Sequence, residues 1–241
     1  MANSDREWKY WGATDPMWAV SSRPGRQKGM PTAWTSEAFL AEGAEYFSPV
    51  LRQWQQYGIG DAMCCVEIGC GSGRLTAQLT KVFSKAVAID VSEHQLKVAR
   101  AIVGADADHV AFHLVSGTSI PVQNGSCDAV FSAEVFQHFS SFRMIESYFE
   151  HAYRALGPNG SLCVNIPTIA VNRYSPTWYA MRRVRTSIER AIGRRRLMDY
   201  RIYSGRRVMD TLEQIGFREV ELRVFAVGAH ESQHAYFLAR R

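Results

Sequence analysis

The chain alternates between short apolar runs and stretches whose apolar residues recur with a helical period. Short runs predict buried strands, and the longer period predicts helices with one apolar face. From residue 63 onward the pattern predicts strand 63–68, helix 73–84, strand 86–90, helix 93–103, strand 110–115, strand 128–133, helix 143–155 and strand 161–166. Strands that alternate with helices indicate an α/β, doubly wound fold, in which helices cover both faces of a parallel sheet.

Capping and turn residues support these boundaries. Ser92 and Gln95 have the spacing of a capping box, and Gly104 is placed to end the same helix. The sequence Leu-Gly-Pro-Asn-Gly at 156–160 predicts a tight turn before the next strand. Asn159 suits that turn because asparagine tolerates the left-handed backbone conformation.

The N-terminal part follows another pattern. Residues 35–57 have helical periodicity with Thr35 or Ser36 as cap, and Pro49 predicts a break or kink in that helix. Residues 1–34 interleave aromatic residues with glycine and proline, and disordered segments are poor in aromatics. We therefore expect 1–60 to be a cap or arm that packs on a domain formed by 61–241.

The alternation is interrupted after residue 166. Residues 167–203 are predicted to form a basic helical insertion with an apolar stripe at Val184, Ile188, Ala191 and Ile192. The helical pattern then resumes over Ser204 to Gly216. Two final strands follow at 220–227 and 235–239.

A glycine-rich turn joins the first strand to its helix, with the sequence Val-Glu-Ile-Gly-Cys-Gly-Ser-Gly-Arg at 66–74. Gly69, Gly71 and Gly73 allow a sharp turn and let a ligand approach the backbone. The next strand ends in Asp90, at a distance along the chain where a carboxylate can bind the two hydroxyls of a ribose. Together these features predict a site for a cofactor that contains adenosine.

The residue before the glycines helps to distinguish between cofactors. Dinucleotide-binding loops have the pattern Gly-x-Gly-x-x-Gly and face a pyrophosphate. Here Gly-x-Gly-x-Gly follows Glu67, whose carboxylate would oppose a phosphate and suits a cationic ligand better. The stretch closely resembles motif I of the class I S-adenosylmethionine-dependent methyltransferases. A nucleotide-binding oxidoreductase stays open as a further reading.

The resemblance implies a mostly parallel, doubly wound sheet of seven strands, closed by an antiparallel C-terminal hairpin at 220–227 and 235–239. It implies S-adenosyl-L-methionine as cofactor, with S-adenosyl-L-homocysteine as product. In this reading Asp90 binds the ribose, Glu67 orders the loop and Arg74 meets the cofactor carboxylate. The remaining cofactor contacts expected from the resemblance are Gly69, Cys70, Gly71, Gly73, Val91, Ser116, Gly117, Thr118 and Ala133.

The acceptor is expected beside segment 133–139, which follows the strand at 128–133. This segment resembles the family's fourth motif, and His138 is the candidate base because the unperturbed pKa of a histidine side chain lies near neutrality. A histidine that only holds the loop remains the alternative. Glu134 is a second candidate for catalysis, and Tyr10, Trp11 and Trp18 are candidates for an N-terminal roof over the acceptor. No residue pattern indicates a metal.

Length and composition limit the number of domains, the cellular location and the kinds of site that the chain can have. A chain of 241 residues is long enough for one full domain. No apolar run is long enough to span a membrane, and the polar N-terminus has no signal core, so we expect a cytoplasmic protein without membrane contact. Its five cysteines include no Cys-x-x-Cys pair, which argues against a zinc site and a disulfide scaffold.

The net charge of +5 is concentrated in one segment. Residues 182–207 carry ten arginines against Glu189 and Asp199. Such a segment can bind nucleic acid, recognise an acidic small substrate, or form a solvated helix face or oligomer contact.

Two functional hypotheses follow. The first is a methyltransferase acting on an oxygen or nitrogen of a small molecule, and it looks most like bacterial enzymes of secondary metabolism and antibiotic biosynthesis. The second is an RNA- or protein-modifying methyltransferase, or an RNA-binding factor, that docks through 182–207. The oligomeric state stays open.

Overall fold

The computed structural model describes residues 3–59, 63–168, 181, 184, 188, 200–228 and 232–241. Its helices are α1 (Asn3–Thr14), α2 (Pro16–Val20), α3 (Ser36–Tyr57), α4 (Thr76–Leu79), α5 (Glu93–Val103), α6 (Phe142–Ala155) and α7 (Gly205–Ile215). The strands are β1 (Cys64–Ile68), β2 (Lys85–Asp90), β3 (Val110–Leu114), β4 (Cys127–Ser132), β5 (Leu156–Asn165), β6 (Arg218–Val227) and β7 (Ser232–Arg240).

The strands form a single seven-stranded sheet in the order β3-β2-β1-β4-β5-β7-β6. The first five strands pair in parallel, and β7 pairs antiparallel with both β5 and β6. The predicted α/β fold with an antiparallel C-terminal hairpin is confirmed. The strand order reverses between β1 and β4, and ligands of open α/β sheets bind at the carboxyl ends of strands at such a point.

Helices pack on both faces of the sheet. On one face α6 and α7 contribute the buried Ile145, Phe149 and Leu212 to a cluster with the strands. On the other face Trp54 of α3 stacks on Phe131 of β4, with ring centroids 5.8 Å apart. The two layers bury the central strands, so the strand tips and the loops that follow them are rigidly placed.

Several predicted elements are corrected. Residues 3–20 form two helices that the sequence pattern did not reveal. Pro49 neither breaks nor ends α3, because buried residues on both sides of it, Phe47 and Val50 among them, pack that helix on the sheet. The helix expected at 73–84 is regular only over Thr76–Leu79 and continues as turns. The stretch 156–160 belongs to β5, although Asn159 has the expected positive φ of 62°.

The two ends of the predicted insertion at 167–203 lie close together. Thr168 and Tyr203 form an isolated parallel bridge, and the backbone N–H of Arg201 donates to the carbonyl of Gln137 at 2.8 Å. Met181, Val184 and Ile188 are helical and exposed. The remainder of the predicted apolar stripe, Ala191 and Ile192, lies outside the described residues.

Two arginines of the basic segment contact nearby side chains. Arg206 pairs with Asp210 at 2.9 Å, and Arg207 lies over the ring of Phe142 at 3.8 Å. Within the described ranges, no helix combines the length and apolar character required to cross a bilayer.

Candidate functional site

A cavity lies at the carboxyl ends of β1, β2 and β4, and we call it the main cavity. Its wall includes the glycine turn, Asp90 and Val91, Val115 and Gly117, segment 133–139 and parts of the N-terminal helices. A second, adjoining cavity shares Glu134 and Tyr200 with it. The two cavities therefore meet at the loop that follows β4.

The glycine turn is shaped by its neighbours. Gly69 and Gly71 line the main cavity with positive φ values of 72° and 51°. A Cβ on Gly69 would lie 2.4 Å from Val135, and one on Gly73 would lie 2.9 Å from the backbone of Ala99. Gly73 thus serves the packing of the loop on α5 and does not itself line the cavity. Cys70 is buried and lines the wall, as expected.

Asp90 closes the turn from the tip of β2. Its Oδ2 accepts from the backbone N–H of Gly71 at 2.9 Å, and its Oδ1 accepts from the N–H of Ser92 at the same distance. The carboxylate is therefore held at the position from which it can receive hydroxyl donors of a ligand. Val91 lies beside it on the wall.

Two buried carboxyl groups share this end of the cavity. Burial raises the pKa of Asp90 to about 6, although the amides of Ser92 and Gly71 partly counter the rise. Burial also raises the pKa of Glu67 to about 7, against the opposing hydrogen bond from Thr76. Thr76 donates to Glu67 at 2.6 Å and so ties β1 to α4, which agrees with a loop-ordering role for Glu67.

Arg74 lies at the opposite wall, only 4% exposed. It forms a salt bridge with Glu42 and lies over the ring of Tyr46 at 4.7 Å. Within the described residues its Nε has no hydrogen-bond partner. A buried donor without an acceptor is costly, so a ligand carboxylate would satisfy it.

Of the residues expected to contact adenine after β3, only one lies on the cavity wall. Gly117 lines the main cavity, and its carbonyl accepts from the hydroxyl of Tyr148 at 3.0 Å. Ser116 is exposed and is not part of the wall. Thr118 also lies off the wall, and its hydroxyl is 2.7 Å from that of Ser147. The wall therefore offers backbone and apolar surface here, together with Tyr148.

The N-terminal roof is built from other residues than the sequence suggested. Asp5, Trp8 and Val20 line the main cavity, whereas Tyr10, Trp11 and Trp18 do not. These three contact one another, with centroids 5.4 Å apart for Tyr10–Trp11 and 5.2 Å apart for Trp11–Trp18. The missed helical register explains the error, because Asp5, Trp8 and Gly12 share one face of α1.

Close packing fixes this roof on the domain. A Cβ on Gly12 would lie 2.3 Å from Ser92 Oγ, so α1 lies directly on the start of α5. Gln95 links both parts, since its Oε1 accepts from Ser72 of the glycine turn at 2.5 Å and its Nε2 donates to the carbonyl of Pro16 at 3.2 Å. The two hydrogen bonds of Gln95 thus connect the roof to the glycine turn.

The loop after β4 contains a polar network around Glu134, which has a positive φ of 59°. Glu134 pairs with His234 at 3.0 Å and accepts from Tyr46 at 3.2 Å and Gln137 at 2.9 Å. Burial alone would raise the pKa of Glu134, but the hydrogen bond and charge of His234, with Arg74 and His138, lower it to about 2. The carboxylate stays ionised, beside the wall residue Ala133.

His138 lies on the wall of the main cavity, in a 3₁₀ turn at Phe136–His138. Trp8 meets its ring edge to face at 4.9 Å, and Tyr200 lies 6.5 Å away. The sequence-predicted candidates His138, Glu134 and Asp90 therefore surround one cavity.

The wall residues that sequence reasoning missed include the polar side chains Asp5, Gln137, Thr168 and His234. Asp5 and Gln137 line the main cavity, and Thr168 and His234 the adjoining one. Gln137 Oε1 and Thr168 Oγ1 are buried and have no partner within the described residues. Only Gln137 had a local signal, since it precedes His138 in the segment already singled out. The described residues hold no cluster of metal-ligating side chains.

The raised pKa of Asp90 predicts a pH dependence for ligand binding. We expect the ionised carboxylate of Asp90 to bind a ribose, so affinity for S-adenosylhomocysteine should fall as pH drops through about 6. One pH unit below that pKa, about a tenth of the carboxylate remains, and binding should be roughly tenfold weaker at pH 5 than at pH 8. Calorimetry at both values measures this, with Asp108→Asn as an exposed control. Equal affinities would contradict it.

Comparisons with known proteins agree with this geometry. Residues 66–164 match the model of a family described as a methyltransferase domain. A Dictyostelium discoideum protein, named only provisionally as a methyltransferase, is 29% identical over 131 residues, which cover 52% of this chain and 46% of that protein. The mitochondrial ubiquinone biosynthesis O-methyltransferase of Rattus norvegicus is 28% identical over 106 residues, 42% of this chain and 30% of that enzyme. The matches thus span less than half of either relative.

Among solved structures, the N-methyltransferase NodS from Bradyrhizobium japonicum, in complex with S-adenosylhomocysteine, superposes with a TM-score of 0.59. The match covers 99% of this chain and 98% of that one at 15% identity, which establishes a shared fold. Residues 66–164 are therefore similar to a methyltransferase domain, and the described sheet has the fold of the class I S-adenosylmethionine-dependent methyltransferases.

Proposed function

We propose that this protein is an S-adenosylmethionine-dependent methyltransferase that acts on a nitrogen or oxygen of a small molecule. The observation that carries the proposal is the pairing of the glycine turn with Asp90 inside a methyltransferase domain. Asp90 is held by two backbone amides at 2.9 Å, with both oxygens at the cavity end where a ribose would lie. S-adenosylmethionine supplies a methyl group that is already activated by its sulfonium.

The residues present fit this group. In this proposal Asp90 binds the ribose hydroxyls, and Val91, Val115 and Gly117, which line the cavity, pack on adenine. Arg74, whose Nε has no partner within the described residues, receives the carboxylate of the methionine part. The backbone at Gly69 and Ala133 accepts from its ammonium, and the ionised Glu134 adds negative charge.

The roof gives the chain a way to exclude water. We propose that residues 1–60 act as a cap, with Asp5, Trp8 and Val20 closing the main cavity. Transfer depends on the orientation of two reactants, and a closed cavity provides it. A cavity roofed on one side also favours a small acceptor, such as a natural product or its precursor. The relatives include an O-methyltransferase and an N-methyltransferase by name, so both acceptor atoms stay in the proposal.

A labelling experiment tests the proposal. Purified protein is incubated with methyl-labelled S-adenosylmethionine and, in separate reactions, with the small-molecule, RNA and protein fractions of a cell extract, and mass spectrometry identifies labelled species. We expect enzyme-dependent label in a small molecule and stoichiometric S-adenosylhomocysteine. Label found only in RNA or protein would contradict the small-molecule acceptor, and no label in any fraction would contradict the activity.

His138 is the proposed base, and its replacement gives a further prediction. His138→Ala should lower the transfer rate roughly 10²-fold, within the usual range for loss of a general base. Affinity for S-adenosylhomocysteine should stay within about twofold, since His138 faces the acceptor side. The rate is measured on the labelled acceptor, with exposed His109→Ala as control. A fully active His138→Ala enzyme would leave His138 a structural role only.

A further inference from the structure

The acceptor side of the main cavity carries an unusual set of polar atoms. Beyond the residues proposed for the cofactor, its described wall presents Asp5, Gln137, His138 and Tyr200, together with Trp8. Glu134, whose charge is also proposed to act near the cofactor ammonium, belongs to the same wall. Of the described residues on the whole wall, Arg74 is the only arginine or lysine, and it is paired with Glu42. The acceptor side is therefore rich in oxygen acceptors and poor in fixed positive charge.

Gln137 gives the sharpest evidence. Its side chain is buried at 1% exposed, and its Nε2 donates to Glu134 Oε2 at 2.9 Å. An ionised carboxylate only accepts hydrogen bonds, so it fixes the orientation of the amide. Gln137 Oε1 is then left as a buried acceptor without a donor in the described part of the chain. A ligand that brings N–H donors to this wall would remove that cost.

Charge and aromatic surface favour the same ligand. Asp5 is 5% exposed and lies on this wall, and Glu134 is ionised because its pKa is lowered to about 2. Trp8, His138 and Tyr200 add ring surfaces along one side. Aromatic faces next to carboxylates attract cations and disfavour anions.

We propose, resting on the methyltransferase function above, that the acceptor is an amine whose nitrogen binds at Gln137 Oε1 between Asp5 and Glu134. The amine enters as an ammonium and gives one proton to a neutral imidazole nitrogen of His138. Its freed lone pair forms the new nitrogen–carbon bond. The electron pair of the carbon–sulfur bond returns to sulfur, and the product is an N-methylammonium ion. His138 releases its proton to solvent when the products leave.

A matched set of probes tests the amine proposal. The protein is saturated with S-adenosylhomocysteine, and binding of 2-phenylethylamine, 2-phenylethanol and 3-phenylpropionate is titrated by ligand-observed NMR. We expect the amine to bind at least about tenfold tighter than the alcohol and the acid. Gln137→Leu and Asp5→Asn should each weaken amine binding roughly fivefold or more. Gln214→Leu and Asp108→Asn, at exposed positions, serve as matched controls and should change nothing.

The cofactor is measured separately in the same variants. Affinity for S-adenosylhomocysteine should stay within about twofold in Gln137→Leu, which places Gln137 on the acceptor side. Equal binding of the alcohol or the acid, no binding of the amine, or unchanged amine binding in Gln137→Leu would overturn the amine proposal. The amine proposal would also be overturned if Gln137→Leu weakened only the binding of S-adenosylhomocysteine. Failure of the wild-type protein to bind S-adenosylhomocysteine would instead refute the proposed function.

Discussion

Replacing Asp90 with alanine is expected to weaken binding of S-adenosylhomocysteine roughly 100-fold or more. Two ligand hydroxyls would lose a charged partner, and a hydrogen bond to a charged group contributes about 1.5–3 kcal/mol. The glycine turn would also lose the contact from Gly71 N–H that shapes it. Calorimetry on the wild-type and Asp90→Ala proteins measures the difference directly.

Matched variants keep this result interpretable. Asp108→Ala removes an exposed carboxylate and should leave affinity unchanged, while Asp90→Asn keeps one acceptor oxygen and should fall in between. Thermal unfolding should show that the Asp90→Ala protein is still folded. Burial raises the pKa of Asp90, which means that the buried charge opposes folding, so its removal should not unfold the protein. Wild-type affinity in a folded Asp90→Ala protein would refute the ribose assignment.

Replacing Gly73 with alanine is expected to lower the free energy of unfolding by about 2–4 kcal/mol. Gly73 has a φ of 81°, which strains any residue with a Cβ. In addition the new methyl group would lie 2.9 Å from Ala99 Cα and 3.0 Å from its Cβ, so α5 would have to move. Denaturant unfolding measures the loss.

Gly29 provides the control for Gly73. It also has a positive φ, 85°, but a Cβ there would meet nothing within 4 Å. Gly29→Ala should therefore show the backbone strain alone, about 1–2 kcal/mol. Equal losses in the two variants would mean that the contact with Ala99 is unimportant. The displaced turn in Gly73→Ala should also weaken binding of S-adenosylhomocysteine.

Much of the fold could be predicted because local signals agreed with one another. Helix α5 runs from Glu93 to Val103 as expected, since Ser92 Oγ accepts from Gln95 N–H and Gly104 ends the helix. The N-terminal helices were not foreseen, because α1 carries aromatic residues on more than one face and gives no clear apolar stripe. Pro49 predicted a break or kink, yet α3 continues through it, because local propensity does not include the packing of Phe47 and Val50.

Only part of the candidate site could likewise be predicted from the sequence. The glycine turn and Asp90 are separated by one strand and one helix in a fixed order, so the spacing in the sequence alone could bring them together. The roof residues Asp5 and Trp8 depend on how α1 lies across α5, which no local pattern encodes. His234 lies in β7 and Thr168 follows β5, and the antiparallel pairing of those two strands brings this part of the chain to Glu134.

The central claim is that the cleft between the glycine turn and Asp90 binds a sulfonium nucleoside. Titration calorimetry of the wild-type protein with S-adenosylhomocysteine, and in parallel with NAD, tests it most directly. We predict one bound S-adenosylhomocysteine per chain with a dissociation constant on the order of micromolar, and no measurable heat with NAD. Binding of NAD without binding of S-adenosylhomocysteine would contradict the claim.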